Sequence, residues 1–420
     1  MKGLARLAQQ LPPLAVSEAD GDMLAELAET LALHNMQQYN TLIMTKDGFA
    51  DARRWKELRR KDGVRVYRER VRAIGPGIPV TPSLLLLGTI EGQLDDVMYG
   101  VVATSDEAIR LHSTCTQDGV VDSKVLHELV RPSLEEPFRH ASVKWRLSAS
   151  NRDYVSLDAT GVALTVKRER IGYNIMHSVA FAQVPSFDVS HGVERGNMSV
   201  CALYRQKTKT QVEVYVRGFF DFHTQNDMLN SLNLQAIATQ WLSFARGAEC
   251  ARMKKLVWKM RKHAGCTTSL AVDDDPQLLS SRSSTLSSVE SFIGGSGTCR
   301  CCSKAFGFLG TSRKICKSCF QSVCTRCCSR RLVCIMAPDK RSVLEKRRTF
   351  CTECLDDVDK TEAVAVAREE LLSLCAIRED CFEEAQQAAA AALTPSVVMR
   401  QSSTSTFRSS GNRRSTAIYS

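Results

Sequence analysis

The sequence has little of what membrane proteins and most enzyme classes require. Its apolar runs, such as the stretch near SLLLLG at 83–88, fall far below the ~18 residues that cross a bilayer, and its first residues lack an unbroken apolar signal core. No glycine-rich phosphate loop or nucleophile elbow occurs, and the eight histidines are scattered. We therefore expect a non-enzymatic protein of the reducing cytoplasm.

Cysteine is abundant in one part of the chain only. Eleven of the 17 cysteines lie between positions 299 and 354, together with thirteen Lys or Arg against three Asp or Glu. The formal charge of this window is +10, which equals that of the whole chain. In a reducing compartment, clustered cysteines indicate metal ligands rather than disulfides.

The cysteines form four Cys-x-x-Cys pairs, which are separated by thirteen, four and twenty-three residues. Two intervening residues let both sulfurs of a pair reach one ion, and a closed zinc site takes four ligands. The spacing therefore predicts two Zn²⁺ ions. The eight predicted ligands are Cys299, Cys302, Cys316, Cys319, Cys324, Cys327, Cys351 and Cys354. Cys301, Cys328 and Cys334 are left over, and a register shift of one residue at Cys301 or Cys328 stays open.

The first 262 residues show the pattern of alternating, turn-bounded segments that is typical of an antiparallel sheet. A helix near 22–36 is followed by strand-like segments at 64–70, 83–90, 140–147, 152–162, 175–184, 199–206 and 211–220. A long helical segment, 226–262, then carries one apolar stripe. The stripe consists of Leu229, Leu232, Ile237, Trp241, Phe244, Ala248 and Ala251. We expect this helix to close over the sheet, with Leu229 and Trp241 shielded from solvent.

Three features of this region resemble the START family of lipid-binding domains. They are WKELRRKDGVRVYRER at 55–70, SASNRDYVSLDATG at 148–161 and the long closing helix. The resemblance covers about residues 20–262 and implies an α+β helix-grip fold, in which a curved antiparallel sheet surrounds the C-terminal helix. It also implies a tunnel for one hydrophobic lipid or sterol and no catalytic residues. A filled core would give the same pattern, so both interpretations stay open.

The cysteine-rich segment, 299–358, resembles a FYVE-type zinc finger. The features that carry this resemblance are the four residues between the middle pairs, SKAF at 303–306 and CTEC at 351–354. It implies a cross-brace in which Cys299, Cys302, Cys324 and Cys327 hold one zinc ion and Cys316, Cys319, Cys351 and Cys354 hold the other. Eight thiolates and two zinc ions would leave the window 299–354 at a formal charge of +6, which suits an anionic partner.

The FYVE resemblance also implies residues for membrane contact. In SRKICK, Arg313, Lys314 and Lys317 stand where the family binds phospholipid, and Phe308 and Leu309 in GFLG stand where it inserts into membranes. Ile315 and Ser312 depart from the family's R-[RK]-H-H-C-R motif, so its specificity for phosphatidylinositol 3-phosphate is not implied here. The partners that we expect are anionic membrane lipids.

Three further segments complete the organisation. Residues 263–298 are serine-rich and predict a flexible linker, and 394–420 predict a disordered basic tail. Residues 361–393 predict a helix, which either packs on a neighbouring domain or binds a protein partner or a second copy as a coiled coil.

The leading hypothesis from the sequence is a lipid-binding and membrane-docking adaptor, peripheral on endosomal or other anionic membranes. Two alternatives stay open. One is a RING-like ubiquitin ligase, whose ligand spacing fits less well. The other is a basic zinc finger that binds protein or nucleic acid, with nucleic acid the less favoured partner.

Overall fold

The computed structural model describes residues 7–70, 83–221, 227–264, 297–306 and 312–377. Phe308 and Leu309, nearly all of the predicted linker, the predicted tail and the predicted helix beyond residue 377 lie outside the described residues. Among the helices that are described, none combines the length and the apolar character needed to cross a membrane.

One large sheet dominates the fold. Its strands are β1 (Trp55–Lys61), β2 (Val64–Glu69), β3 (Leu84–Glu91), β4 (Val120–Val130), β5 (His140–Ser148), β6 (Arg152–Leu164), β7 (Arg170–Ser178), β8 (Glu194–Arg195), β9 (Asn197–Thr208) and β10 (Gln211–Asp221). Its order is β1-β2-β3-β10-β9-β7-β6-β5-β4, with every pair on this path antiparallel, and the two-residue β8 pairs parallel with β6. The predicted antiparallel sheet and the α+β class are thus confirmed.

Helices cover both faces of this sheet. They are α1 (Glu18–Asn40), α2 (Leu94–Val101), α3 (Asp106–Thr116), the short α4 (Asp188–His191), α5 (Asp227–Gln240) and α6 (Gly247–Ala264). Helix α1 packs on one apolar face of the sheet, while α2, α5 and α6 pack on the other. Strands β1 and β4 and helices α2 and α3 were not predicted. The strand predicted at 175–184 is β7, which ends at Ser178, and the apolar residues after it pack into the core as a loop.

The closing helix is interrupted. A 3₁₀ turn, Trp241–Arg246, separates α5 from α6. The buried stripe of α5 runs through Leu234, Ile237 and Ala238 to Trp241, which is 4% exposed. Leu229 and Leu232 are 50% and 56% exposed, so their predicted place in the stripe is wrong. The reason is helical phase, because at about 100° per residue Leu232 lies about 200° away from Leu234.

Helix α6 is held across the sheet by close packing against α2. A Cβ atom added to Gly100 would lie 1.9 Å from the backbone oxygen of Gly247, so no larger residue fits at this crossing without moving one helix. Lys255, buried on α6, pairs with Asp96 of α2 at 2.5 Å. Small residues and the ion pair of a buried lysine therefore fix the position of α6.

The cysteine-rich segment folds as two hairpins and a helix. The hairpins are β11 (Arg313–Ile315) with β12 (Ser322–Cys324) and β13 (Cys328–Met336) with β14 (Val343–Cys351), and α7 (Thr352–Lys360) follows. We call residues 297–306 and 312–360 the finger and residues 7–264 the sheet domain. The two share a core, in which Met253, Leu256 and Val257 of α6 join Val333 and Phe350 of the finger.

Polar contacts reinforce this junction. Arg252 pairs with Asp359 at 2.5 Å, Lys259 pairs with Asp357, and Lys255 donates a hydrogen bond to the carbonyl of Thr361. The last described helix, α8 (Ala363–Ile377), begins two residues after the predicted start at 361. It buries Ala363, Val366 and Ala367 against the sheet domain, and Glu370 accepts a hydrogen bond from Tyr99 at 2.9 Å. The described part of this helix thus packs on a neighbouring domain.

Candidate functional site

A cavity of about 160 Å³ lies between the sheet and the closing helix. Strands β5, β6, β7 and β9 form one wall, and α3, α5 and the turn at Trp241–Arg246 form the other. Among its lining residues, Met176, Val200, Ile237, Trp241 and Phe244 give it an apolar surface. The space between sheet and helix is therefore partly hollow.

Side-chain alternation along β5 and β6 determines what the cavity contains. Ala141, Val143, Trp145 and Leu147 of β5 point into the core beneath α1. The intervening residues Lys144 and Arg146 therefore face the opposite side, and both line the cavity, as do Asp158 and Thr160 of β6. One face of these strands is thus apolar, whereas the other brings charged groups into the interior.

Asp158 is the centre of a buried ionic network. Arg146 donates two hydrogen bonds to its carboxylate, one of them 2.8 Å long from Nη1 to Oδ1. Ser156 donates a further hydrogen bond of 2.7 Å, and the Lys144 ammonium lies 3.5 Å from Oδ2. Lys144 also donates to the carbonyl of Ala103 at 2.9 Å. Each charged group in the network therefore has a partner.

Burial and charge act in opposite directions on the pKa values of this network. Burial alone would raise the pKa of Asp158, but the Arg146 and Lys144 charges outweigh it and lower that pKa to about 2. Burial lowers the pKa of Lys144 to about 8, despite the nearby Asp158. Burial also lowers the pKa of the adjacent His140 to about 3, so this imidazole is neutral at pH 7. With Asp118, which also lines the cavity, the two cations face two carboxylates.

The cavity therefore combines an apolar wall with a polar end whose formal charges balance. The polar end offers hydrogen-bond donors on Lys144 and Arg146 and acceptors on Asp158, and the hydroxyl of Thr160 lies on the same wall. Such a site favours an amphipathic molecule that places a small polar group on the network and an apolar body along the helix.

The predicted metal ligands form two groups of four. The sulfur atoms of Cys299, Cys302, Cys324 and Cys327 lie within 4.8 Å of one another, and so do those of Cys316, Cys319, Cys351 and Cys354. Either group could hold one metal ion. The FYVE resemblance implied these same two groups.

Backbone hydrogen bonds in the finger suit deprotonated sulfur. The N–H of Cys324 donates to Cys299 Sγ at 3.3 Å, and the N–H of Cys351 donates to Cys316 Sγ at 3.3 Å. The N–H of Ser318 also donates to Cys316 Sγ, at 3.4 Å. Such bonds stabilise a thiolate, which is the form that ligates metals.

The predicted phospholipid-binding residues lie on one edge of the finger. Arg313 and Lys314 are exposed on β11, although the Arg313 side chain also donates to Ser322 Oγ at 2.8 Å, and Lys317 is half-buried beside β14. Sequence analysis missed the basic hairpin β13–β14. Its signal was the pair of basic runs SRR at 329–331 and KRR at 346–348, which the register sets side by side.

Comparisons with known proteins give only distant matches. No family model and no curated protein matches the chain. Among solved structures, human StAR-related lipid transfer protein 5 is 15% identical, with 54% of this chain and 97% of that chain covered and a TM-score of 0.37. Human STARD10 is 11% identical, with 60% and 85% covered and a TM-score of 0.35. A STAR-related lipid transfer protein fragment from Xanthomonas axonopodis is 10% identical, with 46% and 97% covered and a TM-score of 0.33.

Removing Asp158 alone should strongly destabilise the sheet domain. Asp158→Ala leaves two buried cations without their carboxylate, which typically costs about 3–5 kcal/mol in the free energy of unfolding. Because the folded-state pKa of Asp158 lies below its unfolded value of about 3.9, the stabilisation is present above that pH and disappears as the pH falls towards 2. Urea unfolding of wild type and variant at several pH values measures both effects.

The matched control replaces the whole network. A variant with Lys144→Met, Arg146→Met and Asp158→Leu removes all three charges together and should lose much less stability than Asp158→Ala. Equal losses in the two variants would show that packing, rather than charge pairing, determines the effect.

Proposed function

We propose that this protein is a non-enzymatic lipid-binding adaptor. Its sheet domain holds one amphipathic lipid or sterol, and its finger docks on an anionic cytoplasmic membrane surface such as that of endosomes. The observation that supports this proposal most directly is the cavity, which joins an apolar wall to the buried network around Asp158.

The size of the cavity bears on how a lipid would enter. At about 160 Å³ it is smaller than the roughly 300–1,000 Å³ of typical ligand pockets, so a whole lipid requires part of the wall to move. The 3₁₀ turn at Trp241–Arg246 interrupts the closing helix where Trp241 and Phe244 line the cavity. We therefore place the moving part of the wall at this turn.

Filling the cavity should abolish lipid binding. Met176 lines the cavity on β7, so Met176→Trp occupies the space that the apolar body would take. Native mass spectrometry of the full chain, mixed with vesicles that contain phospholipids, fatty acids and a sterol, should show one bound lipid for wild type and none for the variant. Bound lipid should also raise the melting temperature of the wild type by mass action.

The control for this experiment is Val166→Trp, which places the same side chain at an 81% exposed position. This variant should bind lipid as the wild type does. A wild-type chain that carries and accepts no lipid would refute the lipid-binding role.

We further propose that each group of four cysteines holds a zinc ion. Four thiolates in a closed group are the donor set of structural zinc, and zinc-binding energy contributes directly to folding in such modules. Zinc at both groups would thus add to the stability that the finger gains from its apolar residues.

Zinc removal should affect both parts of the molecule. Elemental analysis should give two zinc ions per chain, and Cys316→Ala with Cys319→Ala should unfold the finger. Because the finger shares a core with α6, the melting temperature of the sheet domain should also fall. Cys328→Ala is the control, since this thiol lies outside both groups and its loss should leave two zinc ions bound. Fewer than two zinc ions in a folded wild-type chain would contradict the proposal.

Membrane docking is proposed to use the basic edge of the finger. Arg313, Lys314 and Lys317 would attract anionic lipid, each contributing about 1 kcal/mol near the surface. The hairpin β13–β14 extends this edge with exposed Arg330, Arg331 and Arg347. Phe308 and Leu309, outside the described residues, would add apolar insertion.

Docking should weaken as salt rises. Arg313→Glu with Lys314→Glu should abolish sedimentation with vesicles that contain phosphatidylserine at low salt, because charge reversal turns attraction into repulsion. The same charge change at Arg53 and Lys56, which are exposed on the sheet domain, should have little effect. If the zinc-loaded wild type fails to sediment even at low salt, a protein or nucleic-acid partner for the basic edge is favoured instead.

A further inference from the structure

Tyr204 lines the cavity but has no part in the ionic network there. It lies on β9, where Val200 and Ala202, at two-residue steps before it, belong to the core on the cavity side of the sheet. Because side chains alternate along a strand, the Tyr204 side chain points to this same side. It is 0% exposed, so the whole phenol belongs to the interior.

The hydroxyl of Tyr204 has no hydrogen-bond partner within the described part of the chain. Its cross-strand neighbours are Gly172 of β7 and Val214 of β10, and neither has a polar side chain. Burial raises the pKa of Tyr204, so the hydroxyl keeps its proton and can act as a donor. A buried hydroxyl without a partner is unfavourable for folding, and in the wall of a cavity it points to a partner that a ligand supplies.

The strand register separates Tyr204 from the network around Asp158. Met176 of β7 pairs with Asp158 on β6 and with Val200 on β9, so Val200 lies level with the network. Tyr204 follows Val200 by four residues, which is about 14 Å along an extended strand. Asn174, which also lines the cavity, lies between these two levels. The cavity wall thus carries polar groups at two levels along the strands.

On the basis of the proposed lipid-binding role, we propose that the Tyr204 hydroxyl is a second polar subsite and that the ligand is a lipid with a polar group at each end of its apolar body. The first polar group lies on the network of Lys144, Arg146 and Asp158. The second is a hydroxyl or carbonyl oxygen that accepts a hydrogen bond from Tyr204. A lipid with one polar end leaves the Tyr204 hydroxyl without a partner, so the cavity favours the two-ended ligand.

Three alcohols of ten carbons separate the two subsites. The first, 1-decanol, has one hydroxyl, 1,2-decanediol has two at the same end, and 1,10-decanediol has one at each end. Isothermal titration calorimetry of the full chain should give the tightest binding for 1,10-decanediol. Because the two diols are isomers, the difference between them reports the position of the second hydroxyl rather than the polarity of the probe.

Removal of one oxygen atom tests the assignment to Tyr204. Tyr204→Phe should weaken the binding of 1,10-decanediol by about two- to tenfold, as expected for one hydrogen bond, and should leave that of 1-decanol little changed. Without ligand, the variant should melt no lower than the wild type, because the lost hydroxyl had no partner among the described residues. The matched control is Tyr215→Phe, which removes the same atom from a 1% exposed tyrosine in the core beneath α1 and should bind all three alcohols as the wild type does.

Equal binding of the three alcohols by the wild type would refute the second subsite and leave the lipid-binding role standing, and this comparison needs no variant. An equal loss for all three alcohols in Tyr204→Phe would also refute the subsite, since it would reflect packing rather than a hydrogen bond. A wild type that binds none of the alcohols would contradict both the subsite and the lipid-binding role.

Discussion

The pleat of β5 and β6 imposes the constraint on which the interior depends. Since helices cover both faces of the sheet, the residues between the apolar positions of these strands have little access to solvent. Lys144 and Asp158 are consequently buried, Arg146 is largely buried, and the three groups satisfy one another. The cavity lies beside them because charged side chains that are held by their partners cannot fill the space as an apolar core would.

Much of this arrangement was predictable, but its burial was not. Alternation in HASVKWRL indicates that Lys144 and Arg146 share one face of a strand, yet the same pattern is usual for a sheet whose polar face meets water. Only α2, α3 and the closing helix make that face internal, and two of these helices went unrecognised. The prediction of the apolar stripe on the closing helix was partly wrong for a related reason. Leu229 and Leu232 are apolar, but they lie outside the buried face of that helix.

The two groups of cysteines that could hold a metal ion were easier to predict, because their ligands come in pairs that are close in the sequence. Each Cys-x-x-Cys pair carries its own spacing, whereas the combination of pairs came only from a family resemblance. The core that the finger shares with the sheet domain has no such signal. Cys115, Cys250 and Cys334 belong to this core, yet they come from two helices and a strand that are distant in the sequence.

Helix α3 contacts both the cavity and the core shared with the finger within about one helical turn. His112 lines the cavity, and Cys115, three residues later, lies in the core shared with the finger. A movement of this helix would therefore change both the cavity and the packing of the finger. Any coupling between these two sites must be reciprocal. If the packing of the finger on the sheet domain changed the affinity of the cavity for a ligand by some factor, that ligand would change the packing equilibrium of the finger by the same factor. A molecule with an empty cavity and one with a filled cavity would then differ in how tightly the finger packs on the sheet domain.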